Sequence, residues 1–102
     1  METITISSSY HVQNRLKECK KVLDYFYKKY RKATPRFQFG MFECRFNHPY
    51  DTSVTISKSD LHNLREAVAK ADRRITLLEN PSSKNCVVRW KRVAERTLKL
   101  IG

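Results

Sequence analysis

Glycine and proline are scarce in this chain of 102 residues, two of one and three of the other. That scarcity argues against a collagen-like or low-complexity chain and leaves room for long uninterrupted elements. Acid is scarce too: ten Asp and Glu stand against 21 Lys and Arg, for a formal charge of +11. No apolar run approaches the roughly 18–20 residues that a membrane span needs. The opening METITISSSY has neither the basic start nor the apolar core of a secretory signal. Cys19, Cys44 and Cys86 are odd in number, widely spaced and without a CxxC pair. We therefore expect reduced thiols, a cytoplasmic or nuclear location and no disulfide framework.

What the chain does have is enough apolar material, 40% of residues, to close one core, so residues 1–102 are expected to form a single compact basic domain. The charge is sorted along it. Ser9–Arg36 holds nine basic and two acidic residues, Ser82–Gly102 six and one, and Lys58–Glu79 five and four. Two basic elements flank a nearly neutral one. Solubility alone does not require that arrangement, whereas gripping a polyanion does, because clustered cations displace the counterions condensed on phosphates.

Hydrophobic spacing divides the chain further. Thr3–Ser7 (TITIS) alternates and reads as a short strand. Ser7, Ser8 and Ser9 offer N-caps to a helix from Tyr10 to Lys32. Val12, Leu16, Cys19, Leu23, Phe26 and Tyr30 recur there at intervals of three and four, and Thr34-Pro35 ends it. In the run from Arg36 to Phe46 (RFQFGMFECRF) the phenylalanines alternate but slip phase at Gly40. A β-bulge at that glycine would bring them to one face. Turn chemistry at Asn47–Thr52 and alternation at Ser53–Ser57 complete an antiparallel hairpin.

Ser57 or Ser59 then caps a second helix whose seam is Leu61, Leu64, Val68, Ala71, Ile75 and Leu78. It stops at Asn80-Pro81. A third helix over about Ser83–Ile101 buries Cys86, Trp90, Val93, Ala94, Thr97 and Ile101, although CVVRW alone also suits a strand. The expected class is α+β: a short antiparallel sheet, made of the hairpin and an N-terminal strand, packed with three amphipathic helices. The neutral second helix is the natural contact for a homodimer.

The candidate binding residues lie on the basic faces. Lys17, Lys21, Lys28 and Lys32 fall within about 60° of one another on the first helix and span roughly 22 Å. Arg89, Arg92, Arg96 and Lys99 form the stripe behind the third. Lysines meet phosphates as point charges, while guanidinium can fork onto phosphate oxygens or a base edge. Nine of the eleven aromatics lie in Tyr25–Tyr50, but their phases put most of them in the core. Tyr25, beside the lysines, and Tyr50 remain for stacking. Many phosphate-reaching groups with few free aromatics suit a duplex, and a lysine-faced helix suits recognition by shape. We therefore expect a nucleic-acid-binding homodimer that favours duplex RNA without regard to sequence. No membrane and no small-molecule substrate is expected as partner.

Three alternatives stay open: a single-strand binder using Tyr25 or Tyr50, a module engaging an acidic protein, and a small basic ribonuclease using His48, Tyr50, Asp51 and His62. The Cys44–His48 spacing is a weak zinc pattern, and Cys19 reads better as a buried apolar residue. The expectation is no enzyme, no metal and no cofactor. The segment SVTISKSDLHNLREAV faintly resembles the end of single-stranded-DNA-binding coactivator domains, and nothing further follows from it. In size, charge and compactness the chain is similar to small viral proteins that sequester duplex RNA from host silencing.

Overall fold

The computed structural model describes residues 2–34, 37, 39–40, 42–46 and 53–101. The order is β1 (Thr3–Ser7), α1 (Tyr10–Tyr30), β2 (Cys44–Phe46), β3 (Ser53–Ser57), α2 (Lys58–Leu77) and α3 (Pro81–Ile101). It is the α+β arrangement expected. β3 is central, with β1 and β2 each antiparallel to it, so the sheet order is β1-β3-β2. β1 and β2 are therefore parallel to one another across an inserted strand, and α1 is the connection between them. This is a split β-α-β unit.

Local chemistry sets the boundaries. Ser9 caps α1, its Oγ accepting the Val12 N–H at 3.2 Å. Ser57 ends β3 and caps α2 by accepting from Asp60 N–H at 3.4 Å. Asn80 Oδ1 accepts the Ser82 N–H at 2.8 Å, and Pro81 opens α3, where its missing N–H costs nothing. α2 ends earlier than the Asn80-Pro81 stop expected, at Leu77 with Leu78 in extended backbone; the Asn80-Pro81 pair starts α3, and CVVRW lies wholly within that helix.

Each expected seam is used, but by particular neighbours. α3 packs between α1 and α2, and Trp90 at its centre is fully buried. Phe37 and Phe39 meet the indole edge-to-face, with ring centroids 5.0 and 5.9 Å away. From α1, Leu16, Cys19, Leu23 and Phe26 are buried; from the sheet, Val54 and Ile56 are. Gln13 is buried too, and its Nε2 donates to Ser53 O at 3.2 Å, tying the first turns of α1 to the start of β3.

Three expectations need correction. The hairpin pairs only Cys44–Phe46 with Val54–Ile56; Phe37, Phe39 and Phe42 lie outside the strands yet are buried. Gly40 is not a bulge. It lies against α2, where an added Cβ would stand 2.9 Å from Leu64 Cα and 3.2 Å from Asn63 O. Close approach of two backbones, rather than a phase slip in a strand, requires glycine there. The proposed turn at 47–52 lies outside the described residues. The α2 seam offered for a second copy is covered within the chain: Leu61, Leu64 and Ala71 are buried, and Val68 and Ile75 half-buried.

Candidate nucleic-acid interface

α1 and α3 run antiparallel. His11, Arg15 and Val22 of α1 share a groove with Val93 and Arg96 of α3, while at the other end Lys29 is near enough to Cys86 for its charge to act on that thiol. The groove encloses about 520 Å³, has apolar side chains from Val22 and Val93, and includes one acid, Glu18, among its lining residues. Arg15 Nε donates to His11 Nε2 at 3.1 Å.

The expected residues divide around this seam. Arg96 lines the groove, and Arg89, two helical turns earlier, acts electrostatically on Cys86 beside it. Arg92 and Lys99 continue the exposed outer face of α3. Lys21 and Lys28 are exposed on α1, about a quarter turn around the helix from the groove; Lys32, expected on the same helix, is exposed in the turn that follows it, since α1 ends at Tyr30. Lys17 differs: it is half-buried, and its Nζ sits over the Phe46 ring, 5.2 Å from the centroid. Its ammonium is drawn to the aromatic face at the flank of β2. The four lysines are thus not equivalent, and three form the outward row.

Tyr25 is 52% exposed. Its hydroxyl accepts from Lys29 Nζ at 2.8 Å, and Lys29 also lies over the rings of Tyr25 and Tyr30. The hydrogen bond holds the Tyr25 phenol below its ordinary pKa and raises that of Lys29. Arg15 and Lys29, about four helical turns apart and so on one face of α1, bring two cations toward the arginines of α3. They were absent from the sequence-derived set. The spacing was available, but only the packing shows that this face meets α3.

The acids that form ion pairs lie away from the groove. Lys20 Nζ is 2.9 Å from Asp24 and 3.6 Å from Glu43. Lys91 Nζ is 2.6 Å from Asp72 and 3.4 Å from Glu95, on the side of α3 turned to α2. Lys58 meets Glu2 at 3.3 Å. Hydrogen bonds donated to Asp24 and Asp72 raise the pKa of Lys20 and Lys91 respectively. Arg15, Lys21, Lys28, Lys32, Arg89, Arg92, Arg96 and Lys99 form no ion pair with a described residue.

Compared with family models, curated proteins and solved structures, the chain matches none. Its chemistry is therefore read from the side chains alone. Burial raises the Cys44 and Cys86 thiols to about 11, which disfavours the thiolate needed for nucleophilic or metal-ligand chemistry. His62 is exposed on α2, 3.6 Å from Glu66. His48, Tyr50 and Asp51, the other residues considered for RNA cleavage, lie outside the described residues, as does the His48 half of the zinc pattern. Among the described residues no helix is long and apolar enough to cross a membrane.

Proposed function

We propose that this chain binds duplex RNA, largely without regard to sequence, through the outer faces of α1 and α3. One observation carries the reading. Glu2, Asp24, Glu43, Asp72 and Glu95 are drawn to Lys20, Lys58 and Lys91, while eight cations on the α1–α3 side stand without an acidic partner among the described residues. Such a surface releases counterions when it meets phosphates and carries little base-reading information. Arg89 and Arg96 would fork onto phosphate oxygens beside the groove, and Lys21 and Lys28, with Lys32 in the turn beyond the helix, would extend the contact around α1.

Duplex is favoured over single strand because Phe26, Phe37, Phe39, Phe42 and Trp90 are buried and Tyr25 is held by Lys29. Few rings remain as base-stacking platforms. RNA is favoured over DNA because the exposed α1 row is lysine rather than the Asn, Gln and Arg that read a major groove. Sequestering of duplex RNA, as small viral silencing suppressors perform it, is the biological role that this reading suits.

The test is binding of the double variant Lys21→Glu, Lys28→Glu to a 21-base-pair RNA duplex, with Lys20→Ala as control. The first should lose essentially all affinity with an unchanged circular-dichroism spectrum; the second, whose charge is already neutralised internally, should keep it. Retained affinity in the double variant would defeat the reading. Weak binding of the unaltered protein to duplex RNA, duplex DNA and single-stranded RNA alike would shift it to an acidic protein partner.

A further inference from the structure

β1 is an edge strand without the features that normally blunt an edge. Among the described residues its strand neighbour is β3 alone. Its sequence, TITIS, contains no charge and no proline, and all five residues pair with β3 in unbroken register, so no bulge twists it away. An edge of this kind presents a row of main-chain donors and acceptors to another strand. Ile4 and Ile6 are only half-buried, although they pack against the core.

The pairing with β3 shows what β1 accepts as a neighbour. Thr3, Thr5 and Ser7 stand opposite Ser57, Thr55 and Ser53, and Ile4 and Ile6 opposite Ile56 and Val54. Hydroxyl faces hydroxyl on one side of the sheet, and aliphatic faces aliphatic on the other. The strand is close to a palindrome about Thr5. Laid antiparallel against its own copy, it sets Thr3 opposite Ser7, Ile4 opposite Ile6 and Thr5 opposite Thr5, which repeats the β3 pattern. A slip of one residue would put isoleucine opposite threonine and turn the apolar set to the wrong face.

We propose that β1 pairs with β1 of a second copy, giving a two-fold dimer with a continuous six-stranded sheet in the order β2-β3-β1-β1-β3-β2. The two-fold axis passes beside Thr5, perpendicular to the sheet. Aliphatic residues of both copies then share one side, so the helices of both copies lie there together, and Ile4 and Ile6 cover their counterparts. Charge selects the same edge. A chain of +11 repels its copy, and β1 brings no cation of its own to the contact. β2, on whose ring Lys17 rests, is at the far side of the sheet, so this dimer leaves the lysine row of α1 uncovered.

The test uses the full chain at micromolar concentration. Size exclusion with light scattering should give twice the 12.1 kDa chain mass. Thr5→Lys, at an exposed position, sets like charges directly opposite across the axis and should give a monomer with unchanged circular dichroism. Thr5→Cys should cross-link to a covalent dimer with a short bis-maleimide, whereas the unaltered protein should not, since Cys19 and Cys86 are buried and the Cys44 thiol is pushed up to about 11. A monomer at all concentrations overturns the proposal. So does a dimer that persists in Thr5→Lys and leaves Thr5→Cys uncross-linked.

Discussion

Lys20 and Lys21 are sequence neighbours with opposite situations. A step of about 100° around the helix brings Lys20 to Asp24 and Glu43 and leaves Lys21 exposed without an acid among the described residues. Composition counts them equally, but only the second has charge free for a ligand. Tyr25 makes a similar point for stacking. Its ring is exposed, yet its hydroxyl is engaged by the Lys29 ammonium, and the pair sits beside the groove rather than across it. In a duplex the bases are already stacked on one another, so Tyr25→Ala should change duplex RNA affinity by less than about twofold. A base stacked on that ring would be worth about 1–3 kcal/mol. A loss of tenfold or more, greatest with single-stranded RNA and spared in Tyr25→Phe, would reverse the choice of partner.

The elements are held by contacts of very different visibility. The seams of α1, α2 and α3 are legible from three-four spacing, and the serine clusters 7–9 and 57/59 mark where α1 and α2 are capped without singling out Ser9 and Ser57, because each signal depends on residues within a turn or two. The run 36–43 is not. Its alternating phenylalanines match a strand, but Phe37 and Phe39 pack around Trp90, and a rule based on neighbouring residues cannot register a partner more than fifty positions away. The groove was hidden for the same reason: Arg15 and Lys29 become site residues only once that face of α1 meets α3. Gly40 tests this tertiary contact directly. Gly40→Ala would drive a Cβ to 2.9 Å from Leu64 Cα, and backbone cannot rotate aside as a side chain can. Separating the segment from α2 should cost about 1–3 kcal/mol, read as a lower urea midpoint. An unchanged midpoint would mean that the segment does not bear on α2.

At the scale of the molecule, shape and charge act together. The chain extends 47 × 24 × 20 Å, and the eight cations of the proposed surface are spread along two adjacent 21-residue helices and the turn after the first, each helix roughly 31 Å long by helix rise. A long cationic flank meets several phosphates in succession, and its affinity should therefore be set by counterion release rather than by one strong contact. If one chain engages roughly six phosphates of a duplex, affinity should fall about a thousandfold between 50 and 200 mM salt. The dimer proposed through β1 would double the available cations without covering the lysine row. Its salt slope should accordingly exceed that of the Thr5→Lys monomer on a duplex long enough to reach both copies, and the two slopes should converge on a short one. Equal slopes at every length would mean that the second copy brings no phosphate contact, which separates the assembly of the sheet from the work of the helices.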